Sequence, residues 1–185
     1  VWCDMYNTYA SYPADRCRTA ICGEPGEEVR RTFREVRAVT LEICKSIRAG
    51  MTGRDVYRIF EKLWGEAGLG ANFSATSRIG HTSGLEITEP GSIADWSGEL
   101  IAEGMIYHVE PKYEKYDGVF QFEEVVYVRK DGVEFLIVYS GRKLYKVESV
   151  TGTVVATGDM CDGSSFAITS ATYGADCGML FVALS

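Results

Sequence analysis

At 185 residues the chain is long enough for one full domain, or one domain with an appendage, around a substantial buried core. Its 46% apolar and 24% charged residues are ordinary for a globular protein and carry no signature of disorder. With 26 acidic against 19 basic residues the formal charge is −7, which gives no reason to expect a nucleic-acid or anionic-membrane partner and favours a multivalent cation.

No apolar run approaches the roughly 20 residues of a membrane span, and the first residues carry no basic-then-apolar leader, so the expectation is a soluble, cytoplasmic protein with no membrane partner. The six cysteines, Cys3, Cys17, Cys22, Cys44, Cys161 and Cys177, form no CxxC pair and read as reduced, mostly buried thiols. Val1-Trp2-Cys3-Asp4-Met5-Tyr6 already has the character of a strand, so the N-terminus reads as cut inside a fold.

Residues 1–22 predict two short strands joined by a turn at Ser11-Tyr12-Pro13-Ala14, with Asp4 in the first strand and Asp15 opening the second. Aspartate is disfavoured in strands, so the pair reads either as turn and edge chemistry or as two carboxylates facing one site. Glu24-Pro25-Gly26-Glu27-Glu28 marks a helix start, and Val29, Phe33, Val36, Thr40, Ile43 and Ile47 make its apolar stripe, ended by Gly50. Thr52 can cap a second helix with the stripe Val56, Ile59, Phe60, Leu63 and Trp64, stopped by Gly68 and Gly70. Both stripes are core faces, and Arg30, Arg31, Arg34, Glu35 and Arg37 opposite the first are a solvated surface.

A polar strand over Asn72–Arg78 leads into Gly80-His81-Thr82-Ser83-Gly84, where one of only two histidines sits between permissive glycines. Glu89-Pro90-Gly91 reads as a turn and the segment to Gly104 as loop. Met105–Pro111 is a strand carrying Glu110 before the proline, and 118–128 is a β-branched, aromatic strand containing Glu123 and Glu124. Neighbours on a strand face opposite sides, so one of these two acids faces the interior. Lys130-Asp131-Gly132 turns the chain to a further strand at Val133–Leu136. The domain ends near residue 148. Residues 149–185, rich in Thr, Ser, Gly and Ala, read as a β-rich appendage with strands at Thr153–Ala156 and Met179–Leu184.

The interior-prone polar residues on these strands are Asp4, Asp15, His81, Glu110 and Glu123. Four neighbouring buried carboxylates are prohibitive as bare anions and must take up protons or bind cations. Two divalent metals offset the charge, and oxygen-dominated ligation with one imidazole suits Mn, Co, Fe or Zn.

In order and spacing these residues resemble the methionine aminopeptidase, Xaa-Pro peptidase and creatinase family. Asp15-Arg16-Cys17-Arg18-Thr19 is similar to its Ser-Asp-x-Thr-Arg-Thr stretch, Gly80 to Pro90 to Gly-His-Gly-x-Gly-Leu-x-x-His-Glu-x-Pro, and Leu100 to Pro111 to Leu-x-x-Gly-Met-x-x-x-x-Glu-Pro. The resemblance covers about residues 1–148 and implies an α+β pita-bread fold, a curved, mostly antiparallel sheet covered by helices. It makes Asp4 a ligand of one metal, Asp15 and Glu123 bridging carboxylates, and His81 and Glu110 ligands of the other, with Glu110 also the proton shuttle. His108 is left as structural or supporting. The implied activity is a dinuclear-metal hydrolase acting on a peptide or small amide-like substrate through a metal-bridging hydroxide, and a homodimer is a possible assembly. Thr88 stands where peptidase members carry a second, substrate-contacting histidine, Cys17 where threonine is usual and Tyr6 where small residues are common. Thr88 keeps open a creatinase-like amidinohydrolase, a small-metabolite lyase or a non-catalytic binding domain.

Overall fold

The computed structural model describes residues 1–9, 12–19, 21, 23–70, 78–140, 143–147, 154–159, 168–174 and 179–184, with backbone alone beyond residue 136 and at a few positions of the first hairpin. That hairpin pairs β1 (Trp2–Tyr9) with β2 (Tyr12–Thr19). Tyr12, Pro13 and Ala14, expected in the turn, are strand residues. Pro13 is tolerated because both strands of a two-stranded sheet are edges, where half of the backbone N–H positions have no strand to bond.

Helix α1 (Glu27–Ser46) begins at the predicted acidic turn. It ends four residues before Gly50, because Ile47 turns extended and is itself buried. Helix α2 (Gly53–Glu66) starts on a complete capping box. The Thr52 side chain accepts from the Asp55 amide, and the Asp55 carboxylate accepts from the Thr52 amide at 2.8 Å. The buried faces are Val36, Val39, Ile43 and Cys44 on α1 and Val56, Tyr57, Phe60 and Trp64 on α2. Phe60 and Ile43 are fully buried, and each contributes about 1.5–3 kcal/mol.

These faces pack on a five-stranded antiparallel sheet of order β4-β3-β5-β8-β9: β3 (Arg78–Thr82), β4 (Glu89–Ala94), β5 (Ile106–Val109), β8 (Glu124–Arg129) and β9 (Gly132–Phe135). Ile79, Ile93, Tyr107, Val109, Val126 and Val128 supply the sheet's share of the core. Of the predicted strand at 72–78 only Arg78 lies among the described residues. Glu89-Pro90-Gly91 opens strand β4, where a turn was expected. As the sheet's edge, β4 accepts a proline, and between His81↔Ser92 and Thr82↔Glu89 the register skips Pro90 and Gly91, with Gly91 at φ +120°.

The predicted strand over 118–128 is two strands. A short hairpin, β6 (Lys112–Lys115) and β7 (Gly118–Gln121), turns through Tyr116 and Asp117, both at φ 55°, and the chain breaks at Phe122-Glu123 before β8. The alternation expected for Glu123 and Glu124 fails at that break, and both are buried. The Lys130-Asp131 turn lies where predicted, between β8 and β9. Further on, β10 (Ile137–Ser140), β11 (Lys143–Val147) and β12 (Val154–Asp159) form a three-stranded sheet, and β13 (Ile168–Gly174) pairs with β14 (Met179–Leu184). Strands β10, β11 and β13 were not expected. Cys17 and Cys44 are buried free thiols and Cys3 is exposed, while Cys22, Cys161 and Cys177 lie outside the described residues. Among the described residues no helix is long and apolar enough to cross a membrane.

Candidate metal centre

The β1–β2 register explains the eleven-residue spacing of the two aspartates. Asp4 lies opposite Cys17 and Tyr6 opposite Asp15, and positions two apart share a face. Asp4 and Asp15 are therefore diagonal neighbours on one side of the hairpin. That side is fixed to β7. The Trp2 indole N–H donates to Gln121 Oε1 at 2.7 Å, the Cys17 thiol donates to the same oxygen at 3.0 Å, and the Thr19 hydroxyl donates to the Val119 carbonyl at 2.9 Å.

The sheet brings the remaining members. His81 on β3 pairs directly with His108 on β5, and their rings stack at 5.0 Å with 6° between planes. This pairing needs glycine at 80, since a Cβ there would stand 2.3 Å from the His108 carbonyl oxygen. Glu110 follows β5, its amide bonded to the Ile79 carbonyl at 2.8 Å. The Glu123 carbonyl accepts from Arg18 Nη1 at 2.6 Å, and Glu124 receives Arg18 Nη2 at 3.3 Å and lies 3.9 Å from Arg16 Nη1. The acid that fails to alternate thus has its own buried cations, which leaves Glu123 for the site.

His81 Nδ1 donates to the Thr82 carbonyl at 3.1 Å, so the Nε2 lone pair faces Glu110 Oε1 at 3.4 Å and Asp15 Oδ2 at 3.8 Å. Gln121 Nε2 donates to Glu110 Oε2 at 3.0 Å. His108 Nδ1 meets Glu123 Oε1 at 2.7 Å, and its Nε2 meets the Ser83 hydroxyl at 2.9 Å. Donor atoms of Asp15, His108 and Glu123 lie within 4.8 Å of one another. An open cavity of about 330 Å³ is lined by Asp4, Asp15, His81 and Glu110, with Thr88 on its exposed side. Glu123 lies behind this wall, 1% exposed, and its Oε2 has no hydrogen-bond partner among the described residues.

Crowding shows in the protonation energetics. Burial, then the charges of Glu123, Asp4 and Glu110, push the Asp15 carboxyl up to about 7 against the pull of His81. Burial and Glu110 push Glu123 up to about 7 as well, opposed by Arg16. Burial disfavours the charged form of His81, yet its contact with Glu110 holds it above its ordinary value. His108 is pushed down to about 3 by burial and by the neighbouring His81 charge. These residues fit a bound cation: a buried carboxylate oxygen lacks a partner among the described residues, burial and crowding push two carboxyls well above their ordinary range, and the donors are carboxylates and imidazoles.

The five residues expected as ligands come together here and Thr88 borders the same cavity, but only His81 and Glu123 are buried: Asp15 and Glu110 are half-buried and Asp4 is exposed, since they line an open cavity and do not sit in the interior. His108 lies in the cluster rather than beside it, and Gln121, Ser83, Arg78 and Lys112 were not anticipated. Two had a readable signal: His108 stands two residues from Glu110 and Gln121 two from Glu123, a spacing that puts side chains on one face of extended chain.

Fold and donor set together define the class, a pita-bread domain of metallopeptidase type. Residues 1–130 match the profile of metallopeptidase family M24, and the chain belongs to that family. It is 31% identical over 137 residues to an uncharacterized peptidase of Staphylococcus epidermidis, covering 74% of this chain and 38% of that protein. To an Xaa-Pro dipeptidase of Lactobacillus delbrueckii subsp. lactis it is 30% identical over 108 residues, 58% of this chain and 29% of the relative. Among solved structures, the prolidase from Pyrococcus furiosus superposes with a TM-score of 0.68 at 27% identity over 76% of this chain and 41% of its own. The X-Pro aminopeptidase from Thermotoga maritima gives 0.66 at 30% identity, covering 72% of this chain and 38% of that one. The chain therefore spans about two fifths or less of the length of these relatives.

Proposed function

We propose that this chain carries the metal centre of a dinuclear, divalent-metal-dependent hydrolase that cleaves an amide bond in a peptide or peptide-like substrate. The observation that carries the reading is the partnerless buried oxygen of Glu123 amid carboxylates whose burial and mutual repulsion raise their proton affinity. Asp4 would serve one ion, His81 and Glu110 the other, and Asp15 and Glu123 both; Mn, Co, Fe and Zn all suit these donors. Bound there, the ions would supply Lewis-acid polarisation of a carbonyl and acidify a water. The Thr82 carbonyl keeps the proton of His81 on Nδ1, which presents Nε2 to the site. Gln121 holds Glu110 Oε2, which orients Oε1 toward the cavity to accept a proton and return it to the leaving amine. Names of the relatives favour an Xaa-Pro peptide.

Thr88 supports a second reading, hydrolysis of a non-peptide amide or amidine. A hydroxyl at the cavity edge cannot carry the positive charge of a histidine. Metal analysis of the purified protein tests the centre: about two divalent ions per chain are expected. His81→Ala should lower that content. A protein that takes up none sinks the catalytic reading, and unchanged uptake by His81→Ala sinks the ligand assignment. A gain of Xaa-Pro turnover in Thr88→His would favour the second reading.

A further inference from the structure

We propose that Ser83 and His108 are positioning residues: a hydrogen-bonded chain from the Ser83 hydroxyl through the His108 ring holds the Glu123 carboxylate and fixes which of its oxygens is offered to the ions. The inference rests on the metal centre proposed above, and it gives a task to two residues that are not ligands there.

The backbone of Glu123 is pinned by the hairpin. Its N–H donates to the Cys17 carbonyl at 3.4 Å, and its carbonyl accepts from Arg18 Nη1 at 2.6 Å. The side chain still has rotamers to choose from, and the contact of Oε1 with His108 Nδ1 at 2.7 Å selects among them. Oε2 is left as the buried oxygen without a partner among the described residues. A carboxylate tied at one oxygen presents the other in a fixed place.

His108 can serve as the tie because its own ring is held. It lies directly opposite His81 in the β3–β5 ladder, and the two rings stack at 5.0 Å with 6° between their planes. His108 is buried, and its Nε2 meets Ser83 Oγ at 2.9 Å. Ser83 follows the last residue of β3, two positions after His81. The strand that supplies one stacked imidazole therefore also supplies the hydroxyl that anchors the other.

Donor inventories set the sense of the chain. An ionised carboxylate only accepts, so Nδ1 carries the proton at that bond. In the neutral ring Nε2 is then a lone pair, and the Ser83 hydroxyl can donate to it. Ser83 thereby selects the tautomer that Glu123 needs. Hydroxyl, imidazole and carboxylate in this order also describe a nucleophilic triad. Ser83 is not among the residues that line the cavity, however, so its hydroxyl holds the ring and does not attack a substrate.

Calorimetric titration of the metal-free protein with zinc(II) tests this. Loss of such an outer partner weakens metal binding by about 10–100-fold. His108→Leu should fall in that range, and His108→Asn should recover most of the loss, because an amide nitrogen reaches about as far as Nδ1 while nothing replaces Nε2. Ser83→Ala should weaken binding in the parent, Ser83→Thr should not, and Ser83→Ala should add nothing to His108→Asn. With only two histidines in the chain, heteronuclear NMR of the zinc-loaded protein resolves each ring. His108 should carry its proton on Nδ1, and Ser83→Ala should shift it toward Nε2. Should His108→Leu fail to fold, the Ser83 variants and the spectra still decide. Equal affinities across the variants, a Ser83→Ala loss that persists beside His108→Asn, or a parent with His108 protonated on Nε2 overturns the proposal; the last would make Nδ1 a metal ligand itself. A parent that takes up no zinc sinks the metal centre and this inference together, whereas a parent that binds zinc no more tightly than its variants sinks this inference alone.

Discussion

Replacing Glu123 with glutamine should stabilise the metal-free protein at alkaline pH and cripple it when metal is supplied. Glutamine keeps the shape of the protonated acid and an oxygen for His108 Nδ1, but it cannot ionise. In the folded chain the Glu123 carboxyl is raised from 4.5 to about 7, chiefly by burial, so above pH 7 the fold contains an anion that the unfolded chain would solvate freely. The sign follows. An acid whose folded pKa is raised leaves stability intact below the unfolded value, and that stability is lost as pH rises through the folded one. At about 1.4 kcal/mol per pH unit, the loss at pH 8 is on the order of 3 kcal/mol, or a melting difference of roughly 6–12 °C for a chain of this size.

His108 titrates the other way. Held at about 3 in the fold, it removes stability as pH falls below its ordinary value of 6.5, so the profile of the unmodified protein mixes both effects. The difference between variant and parent cancels the His108 contribution to first order. Thermal or urea unfolding of both chelated proteins at pH 5 and pH 8 should show near-equality at pH 5, with the variant the more stable at pH 8. Saturating divalent cation should invert the order, since ligand at about a thousand times its dissociation constant adds about 4.1 kcal/mol to a protein that binds it, more than the deficit at pH 8. A pH-independent difference, or a variant no more stable than the parent at pH 8, would refute the account of a crowded, cation-dependent carboxylate cluster.

Gly80→Ala should push β3 from β5, lowering stability by about 1–3 kcal/mol and weakening metal binding through His81, both read from melts with and without cation. Thr52→Ala removes one half of the α2 capping box and should lower stability by about 1 kcal/mol while leaving metal affinity unchanged in the same titrations.

The helices were legible because their signals are local: apolar stripes at steps of three and four, a capping threonine and an acidic first turn all act within a few residues. The five candidate ligands were legible because acids and a histidine sit in segments that otherwise favour burial. What escaped was set by pairings distant in sequence. Nothing around His108 reveals that β3 lies beside β5 with the two imidazoles in register. Glu124 looked like a rival to Glu123 because Arg16 and Arg18, more than a hundred residues earlier, could not be seen to neutralise it. The β4 strand was hidden by Pro90 and Gly91, residues that usually end strands and here are carried at a sheet edge by an irregular register. The break at Phe122-Glu123 is likewise invisible in a run of β-forming residues, since the carbonyl it exposes is taken up by Arg18 of the hairpin.

That hairpin belongs to a separate sheet from the one carrying the histidines. The proposed metal centre is consequently a seam, with Asp4 and Asp15 on one bank and His81, Glu110 and Glu123 on the other, joined by bonds from Trp2, Cys17, Arg18 and Thr19. Whatever binds across a seam also welds it. Affinity for the ligand and the rigidity of β1 and β2 then become one thermodynamic quantity measured from two ends. A substitution far from any donor atom that merely loosens the hairpin would register as weakened binding, and bound ligand would register as slower amide exchange along β1 and β2.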